Sequence, residues 1–147
     1  MMHSLALLLL CLPYLAQGYI YTKCELARDL LAENVAKSEL HKWVCMAWYE
    51  SSFNTAAVNQ NSPNSVDHGL FQINSYWNCD PQNGKPAKNG CGHPCSDYKN
   101  TDLTDDVACI KKLKREHKGW GFSMSYTNNC QSKTSSYISE CGIPGLG

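Results

Sequence analysis

The sequence predicts a single α+β domain, and three observations carry that prediction. Apolar residues recur at helical spacing near both ends of the chain, and an Asn-, Ser-, Pro- and Gly-rich stretch with strand-like texture lies between them. The third is a set of nine cysteines that becomes an even eight once an N-terminal leader is removed, a number that suits a stapled small extracellular domain. Helices flanking a short β-rich insertion define the class. At 147 residues the chain suits one domain.

The first 18 residues read as a signal peptide. Leu5 to Leu10 form an apolar run broken by Pro13, and Ala16-Gln17-Gly18 offers small residues where a signal peptidase reads them. That run is too short to span a bilayer. Cleavage after Gly18 leaves Tyr19 to Gly147 as a secreted, extracellular product. Of nine cysteines, Cys11 leaves with the leader, so nine less one gives eight: Cys24, Cys45, Cys79, Cys91, Cys95, Cys109, Cys130 and Cys141. Eight cysteines allow on the order of a hundred pairings, and spacing alone does not choose among them. Cys91-Gly92-His93-Pro94-Cys95 also suggests zinc, but an oxidising compartment disfavours thiolate ligands and no second pair at finger spacing follows.

Leu26, Leu30, Leu31 and Val35 predict a first helix near Glu25 to Ala36. Leu40, Trp43, Val44 and Ala47 predict a second from about Glu39 to Tyr49, with Ser38 as its cap. From Asn54 to Asn78 the texture is that of turns and hairpins, with Gly69 to Asn74 reading as a strand. This is the β subdomain, about 54–78. Asp80 to Pro94 reads as a long irregular loop fastened by Cys79, Cys91 and Cys95. Thr104-Asp105-Asp106 opens a third helix, Val107 to about Lys114, whose acidic start and basic end both suit the helix dipole. A short helix near Ser125 to Cys130 and a loop-rich tail complete the chain.

Thirteen basic and thirteen acidic residues cancel, so no long-range field favours nucleic acid or an anionic membrane. Neither is expected as a partner, and the product reads as a monomer. Two carboxylates stand out from the rest. Glu50 ends an apolar helix in Trp48-Tyr49-Glu50-Ser51-Ser52-Phe53-Asn54, and Asp67 lies in the polar segment Ser65-Val66-Asp67-His68-Gly69. Glycosidic hydrolysis needs one carboxyl protonated and one ionised, a split that apolar and polar surroundings produce. Composition alone does not single this pair out, because any carboxylate can be an ordinary surface charge.

Glu50-Ser51-Ser52-Phe53-Asn54-Thr55 and Asp67-His68-Gly69-Leu70-Phe71-Gln72-Ile73-Asn74-Ser75 resemble the two signature segments of c-type lysozymes and α-lactalbumins. Cys24-Glu25-Leu26-Ala27-Arg28 and Trp43-Val44-Cys45 resemble the family's opening helices, and the similarity extends over nearly all of the chain beyond the leader. The resemblance implies a lysozyme-like fold, a helical domain plus a small antiparallel β subdomain with a sugar-binding cleft between them. It implies the disulfides Cys24–Cys141, Cys45–Cys130, Cys79–Cys95 and Cys91–Cys109. It implies Glu50 as general acid and Asp67 as nucleophile or stabiliser in a retaining hydrolysis of peptidoglycan, without a required cofactor. Asn59, Asn61, Gln72 and Asn74 would be the polar cleft residues, although asparagines also serve turns. Trp77 would be the stacking platform for a sugar ring.

Two departures bear on activity. Asn78 stands where relatives usually carry a second aromatic residue. Ser123, seven residues before Cys130, stands where most place a tryptophan against the general acid. Trp120 and Phe122 are the neighbouring aromatics that could supply such a wall; without one, Glu50 is expected to be less desolvated. The segment Asp97 to Asp106 is similar to the family's calcium elbow. Carry-over gives main-chain carbonyls of Asp97 and Asp102 with the side chains of Asn100, Asp105 and Asp106, an all-oxygen set that suits calcium as a structural ion. Asn100 replaces a carboxylate and so weakens the set; a helix start with favourable acidic residues is the ordinary alternative. The rival to the hydrolase is a non-enzymatic family member, either a glycan-binding protein or a lactalbumin-like modifier of a glycosyltransferase. A calcium-dependent structural module is a third reading.

Overall fold

The computed structural model describes residues 18–146. The leader proposed for residues 1–18 and Cys11 lie outside them, except for Gly18. The helices are α1 (Lys23–Ala32), α2 (Leu40–Ser51), α3 (Thr104–Glu116) and α4 (Met124–Asn129). Between α2 and α3 come the strands β1 (Val58–Ser62), β2 (Ser65–His68), β3 (Ile73–Asn74), β4 (Cys79–Asp80) and β5 (His93–Pro94). The class is α+β, as the sequence predicts.

Helix α1 starts earlier than apolar spacing suggests because Thr22 and Glu25 form a reciprocal capping box. Thr22 Oγ1 accepts from the Glu25 N–H, and Glu25 Oε2 accepts from the Thr22 N–H. It ends at Ala32 rather than Ala36, because Asn34 turns left-handed at φ 61°. Ser38 does not cap α2: it sits inside a 3₁₀ turn, Lys37–Glu39, that leads into the helix. Helix α2 is the centre of the core. Leu40, Trp43, Val44, Cys45, Met46 and Ala47 are all buried, and Trp43 meets Phe71 and Trp120 edge to face at 5.7 and 5.5 Å.

The expected strand over Gly69 to Asn74 is mostly a turn. Gly69 has φ +79°, Gln72 has φ 54°, and the Gln72 N–H and side-chain amide both donate to the Gly69 carbonyl. A Cβ at residue 69 would lie 1.6 Å from the Tyr98 carbonyl oxygen, so only glycine fits this close approach. Only Ile73–Asn74 pair as a strand, while Leu70 and Phe71 plunge into the core. The principal hairpin is instead β1–β2, antiparallel, with β3 on the other side of β2. In the expected loop after Cys79, the ends Cys79–Asp80 and His93–Pro94 pair in parallel.

Four disulfides join Cys24 to Cys141, Cys45 to Cys130, Cys79 to Cys95 and Cys91 to Cys109. The first two tie the C-terminal segments to α1 and α2, and the other two fasten the long loop to α3 and to its own ends. With every one of these sulfurs in a disulfide, Cys91 and Cys95 hold no zinc.

Candidate active site

Glu50 lies in the last turn of α2, and the end of that helix is fixed twice over. Ser52 adopts φ 53° and its N–H reaches back to the Ala47 and Trp48 carbonyls. The Ser51 hydroxyl bridges the Ala47 carbonyl at 3.0 Å and the Leu70 carbonyl at 2.8 Å, joining the helix end to the turn beyond β2. Glu50 is thereby aimed across a cleft of about 740 Å³. Asp67, Gln72, Asn74 and Trp77 line it from the β side, and Leu113, His117, Phe122 and Ser123 from the helical side.

Burial raises the Glu50 carboxyl above the usual glutamate range, and the Asp67 charge adds to this. The Ser123 and Ser125 hydroxyls pull the other way by favouring the ionised form. Ser123 Oγ donates to Glu50 Oε1 at 2.8 Å. The same hydroxyl accepts the Tyr126 N–H as the N-cap of α4, which fixes its position. Of the two neighbouring aromatics, Phe122 lines the cleft and Trp120 does not. Trp120 is buried in the core, edge on to Trp43 and stacked on Tyr126 at 5.0 Å. Phe122 lines the cleft while stacking on Trp120.

Asp67 is held by the sheet. It faces Asn59 across β1–β2 and Asn74 across β2–β3. Asn74 Nδ2 donates to Asp67 Oδ1 at 2.8 Å, and Asn61 Nδ2 donates to Oδ2 at 2.7 Å. Asn61 falls where the β1–β2 register shifts, an irregularity that re-aims a side chain. Two amide donors on the two oxygens fix the carboxylate plane. Asn74 Oδ1 also accepts the N–H groups of Tyr76 and Trp77, so one side chain positions both Asp67 and the turn carrying the exposed Trp77. Asn59 Nδ2 donates to Gln72 Oε1 at 2.8 Å. Among the polar residues singled out from the sequence, Gln72 and Asn74 line the cleft; Asn59 and Asn61 stand behind them on the exposed strand.

Sequence reasoning marked Ser123 as a loss and missed its bond to Glu50. It also missed Lys88, whose ammonium sits 4.5 Å over the Trp77 ring, and Lys112, which pairs with Glu116 at 3.1 Å on the cleft wall. Lys112 and Glu116 are neighbours one turn apart on α3, but no local motif shows that the fold turns that face, or Lys88, toward the cleft.

The acidic elbow leads into the start of α3. Asn100 Oδ1 accepts the Asp102 N–H at 2.9 Å, and Asp102 Oδ1 accepts the Thr104 N–H at 3.1 Å. Asp97 and Asp105 both face His93. Asp106 is 1% exposed, and beyond its own backbone N–H no donor among the described residues reaches its carboxyl. Burial pushes that carboxyl well above the aspartate range, and the charges of Asp105, Asp102 and Asp97 add to this. A buried carboxylate lacking donors fits a place beside a cation.

Comparison with known proteins agrees with this fold. A model of the C-type lysozyme/alpha-lactalbumin family matches residues 19–141. Lysozyme C-1 of Anas platyrhynchos is 40% identical over 147 residues, spanning 97% of this chain and 100% of that protein. Lysozyme C II of Oncorhynchus mykiss is 39% identical over 142 residues, spanning 94% of this chain and 99% of that one. The crystal structure of lysozyme from Equus asinus superposes with a TM-score of 0.77 at 38% identity, covering 85% of this chain and 100% of that chain.

Proposed function

Because the chain belongs to the C-type lysozyme/alpha-lactalbumin family and is a glycosidase of the lysozyme kind, we propose that it hydrolyses bacterial peptidoglycan with retention of configuration. The bond cut joins N-acetylmuramic acid to N-acetylglucosamine through a β-1,4 link. The observation that carries this reading is the contrast between two carboxyl groups on one cleft. Burial raises Glu50, whereas Asp67 accepts amide hydrogen bonds on both oxygens.

In this mechanism protonated Glu50 gives its proton to the glycosidic oxygen as the C1–O bond breaks. Asp67 meets the positive charge developing at C1, as a covalent nucleophile or as an ion-pair partner. Glu50, now ionised, takes a proton from water as that water attacks C1, and the acid is restored. Every proton comes from Glu50 or water, so the cycle requires no cofactor. Trp77 offers an exposed aromatic face for a sugar ring, with Gln72 and Asn74 as polar neighbours. Asn59 supports Gln72, and Asn61 supports Asp67.

The elbow is proposed as a structural calcium site. The carbonyls of Asp97 and Asp102 and the side chains of Asn100, Asp105 and Asp106 would hold the ion, which would neutralise the buried Asp106 charge. We also propose secretion as a monomer, after removal of residues 1–18. Four disulfides suit an oxidising compartment, and no helix among the described residues is long and apolar enough to cross a membrane.

The direct test is to digest purified peptidoglycan and follow the new reducing ends by proton NMR. Early accumulation of the β-anomer supports the reading. Early α-anomer would replace retention by inversion. Tight glycan binding without any new reducing end would favour the non-enzymatic, lactalbumin-like alternative.

A further inference from the structure

We propose that His93 and Asp105 bind a transition-metal ion of the zinc class beside the elbow, with Asp97 holding the imidazole from behind. His93 lies between Cys91 and Cys95, which are anchored to Cys109 and Cys79 respectively, and its backbone pairs with Cys79. The ring therefore projects from a doubly stapled strand rather than from a free loop. Its Nδ1 lies 3.1 Å from Asp97 Oδ2, and its Nε2 lies 3.5 Å from Asp105 Oδ1.

With Nδ1 facing Asp97, the ring turns Nε2 toward Asp105. A carboxylate behind a histidine is the usual support of a metal-binding imidazole, fixing its tautomer and strengthening it as a donor. Two ligands about 2.0–2.1 Å from a tetrahedral ion stand about 3.4 Å apart, close to the observed Nε2 to Oδ1 spacing. One ligand atom each from His93, Asp97 and Asp105 fall within 4.8 Å of one another. Water would complete the shell, since His93 and Asp105 are both partly open to solvent.

A second observation points to a cation independently of this triad. Asp106, next in sequence to Asp105, is 1% exposed, with neither carboxyl oxygen bonded to any other residue among those described. The Asp106 carboxyl at this corner is thus not answered by hydrogen bonds from other residues. The donor chemistry decides which cation. Imidazole nitrogen with carboxylate suits zinc, copper or nickel, whereas calcium takes oxygen ligands alone. The calcium set proposed above uses Asp97 through its carbonyl, which leaves the Asp97 carboxylate free to hold His93. Asp105 is common to both sets, so the two ions compete. The other sulfur- and nitrogen-bearing cluster, His68 with Cys79 and Cys95, offers no such site because its two sulfurs are bonded to each other.

The test is calorimetric titration of the chelator-stripped, disulfide-intact protein with Zn²⁺ and separately with Ca²⁺, alongside melting curves. Cobalt(II) serves as an optical probe of nitrogen coordination. We expect one micromolar zinc equivalent, a raised melting temperature and a cobalt visible band. His93→Gln should weaken zinc at least tenfold and abolish that band, while leaving any calcium-induced shift unchanged. Asp97→Asn should weaken zinc by about 10–100-fold. Zinc binding of equal strength in the His93→Gln protein would overturn the assignment, as would the lack of saturable zinc binding below millimolar concentration in a parent whose native fold is verified by its melting transition.

Discussion

The Ser123 hydroxyl donates to Glu50 Oε1 at 2.8 Å, placing a hydrogen-bond donor on the carboxyl proposed as the acid. Burial raises this group and the serine partly offsets the rise. A general acid works only while protonated, so activity falls as pH climbs through its pKa. Removing the donor with Ser123→Ala should raise that pKa and carry the alkaline limb of the pH–rate profile upward. Ser123→Trp should carry it further if the cleft admits the ring. The parent should have an optimum displaced toward acid relative to a lysozyme that keeps tryptophan here. A profile for Ser123→Ala superimposable on the parent's would show that the bond has no part in tuning Glu50.

Asn61 has one evident task, to donate to Asp67 Oδ2 at 2.7 Å from an exposed strand. Asn61→Ala should therefore spare stability while loosening the carboxylate. A charge-assisted bond is worth about 1.5–3 kcal/mol, so kcat should fall by about tenfold to a hundredfold. An unchanged kcat, with KM alone affected, would return Asn61 to a purely substrate-binding role.

The helical half was legible because each core helix has an apolar stripe: Leu26 and Leu30 in α1, and Trp43, Val44 and Ala47 in α2. The hairpin was not legible, because β1 is solvent-exposed along its whole length and shows no alternation of apolar and polar residues. Gly69 to Asn74 misled for the opposite reason. Leu70, Phe71 and Ile73 are buried by a turn that is fixed by Gly69 against Tyr98, a contact between distant segments. At the site, Glu50 and Asp67 were visible through flanking motifs. Ser123 was visible only as a departure, since its bond to Glu50 joins positions 73 residues apart.

Asp106 predicts a calcium-dependent stability with a defined sign. Its folded carboxyl is raised, so the calcium-free protein loses stability as pH rises from the unfolded value, about 3.9, through the folded one. The cost is complete above the folded pKa. Asp106→Asn should raise the melting temperature of chelator-treated protein at neutral pH and erase the calcium response, with little difference near pH 4. Each kcal/mol recovered should appear as about 2–4 °C. A lower melting temperature for the variant without calcium would contradict this account of the elbow.

Processing and covalent structure are testable together. Non-reducing peptide mapping of the secreted product should begin at Tyr19 and recover the four links present in the structure, with no free thiol. The Cys24–Cys141 bridge joins residues 117 positions apart, so in the chain-entropy view it constrains the unfolded state most. Its removal by paired serine substitution should cost about 4–5 kcal/mol. A retained Cys11, or a link between Cys91 and Cys95, would refute the proposed framework.

The central claim is that Glu50 supplies the proton. Glu50→Gln keeps the shape of the side chain and removes its acid, so it should abolish nearly all clearing of a peptidoglycan suspension across pH. The fold and the affinity for chitin oligosaccharides should persist, measured by melting and titration beside the parent. Parent-like clearing by the folded Glu50→Gln protein would contradict the mechanism.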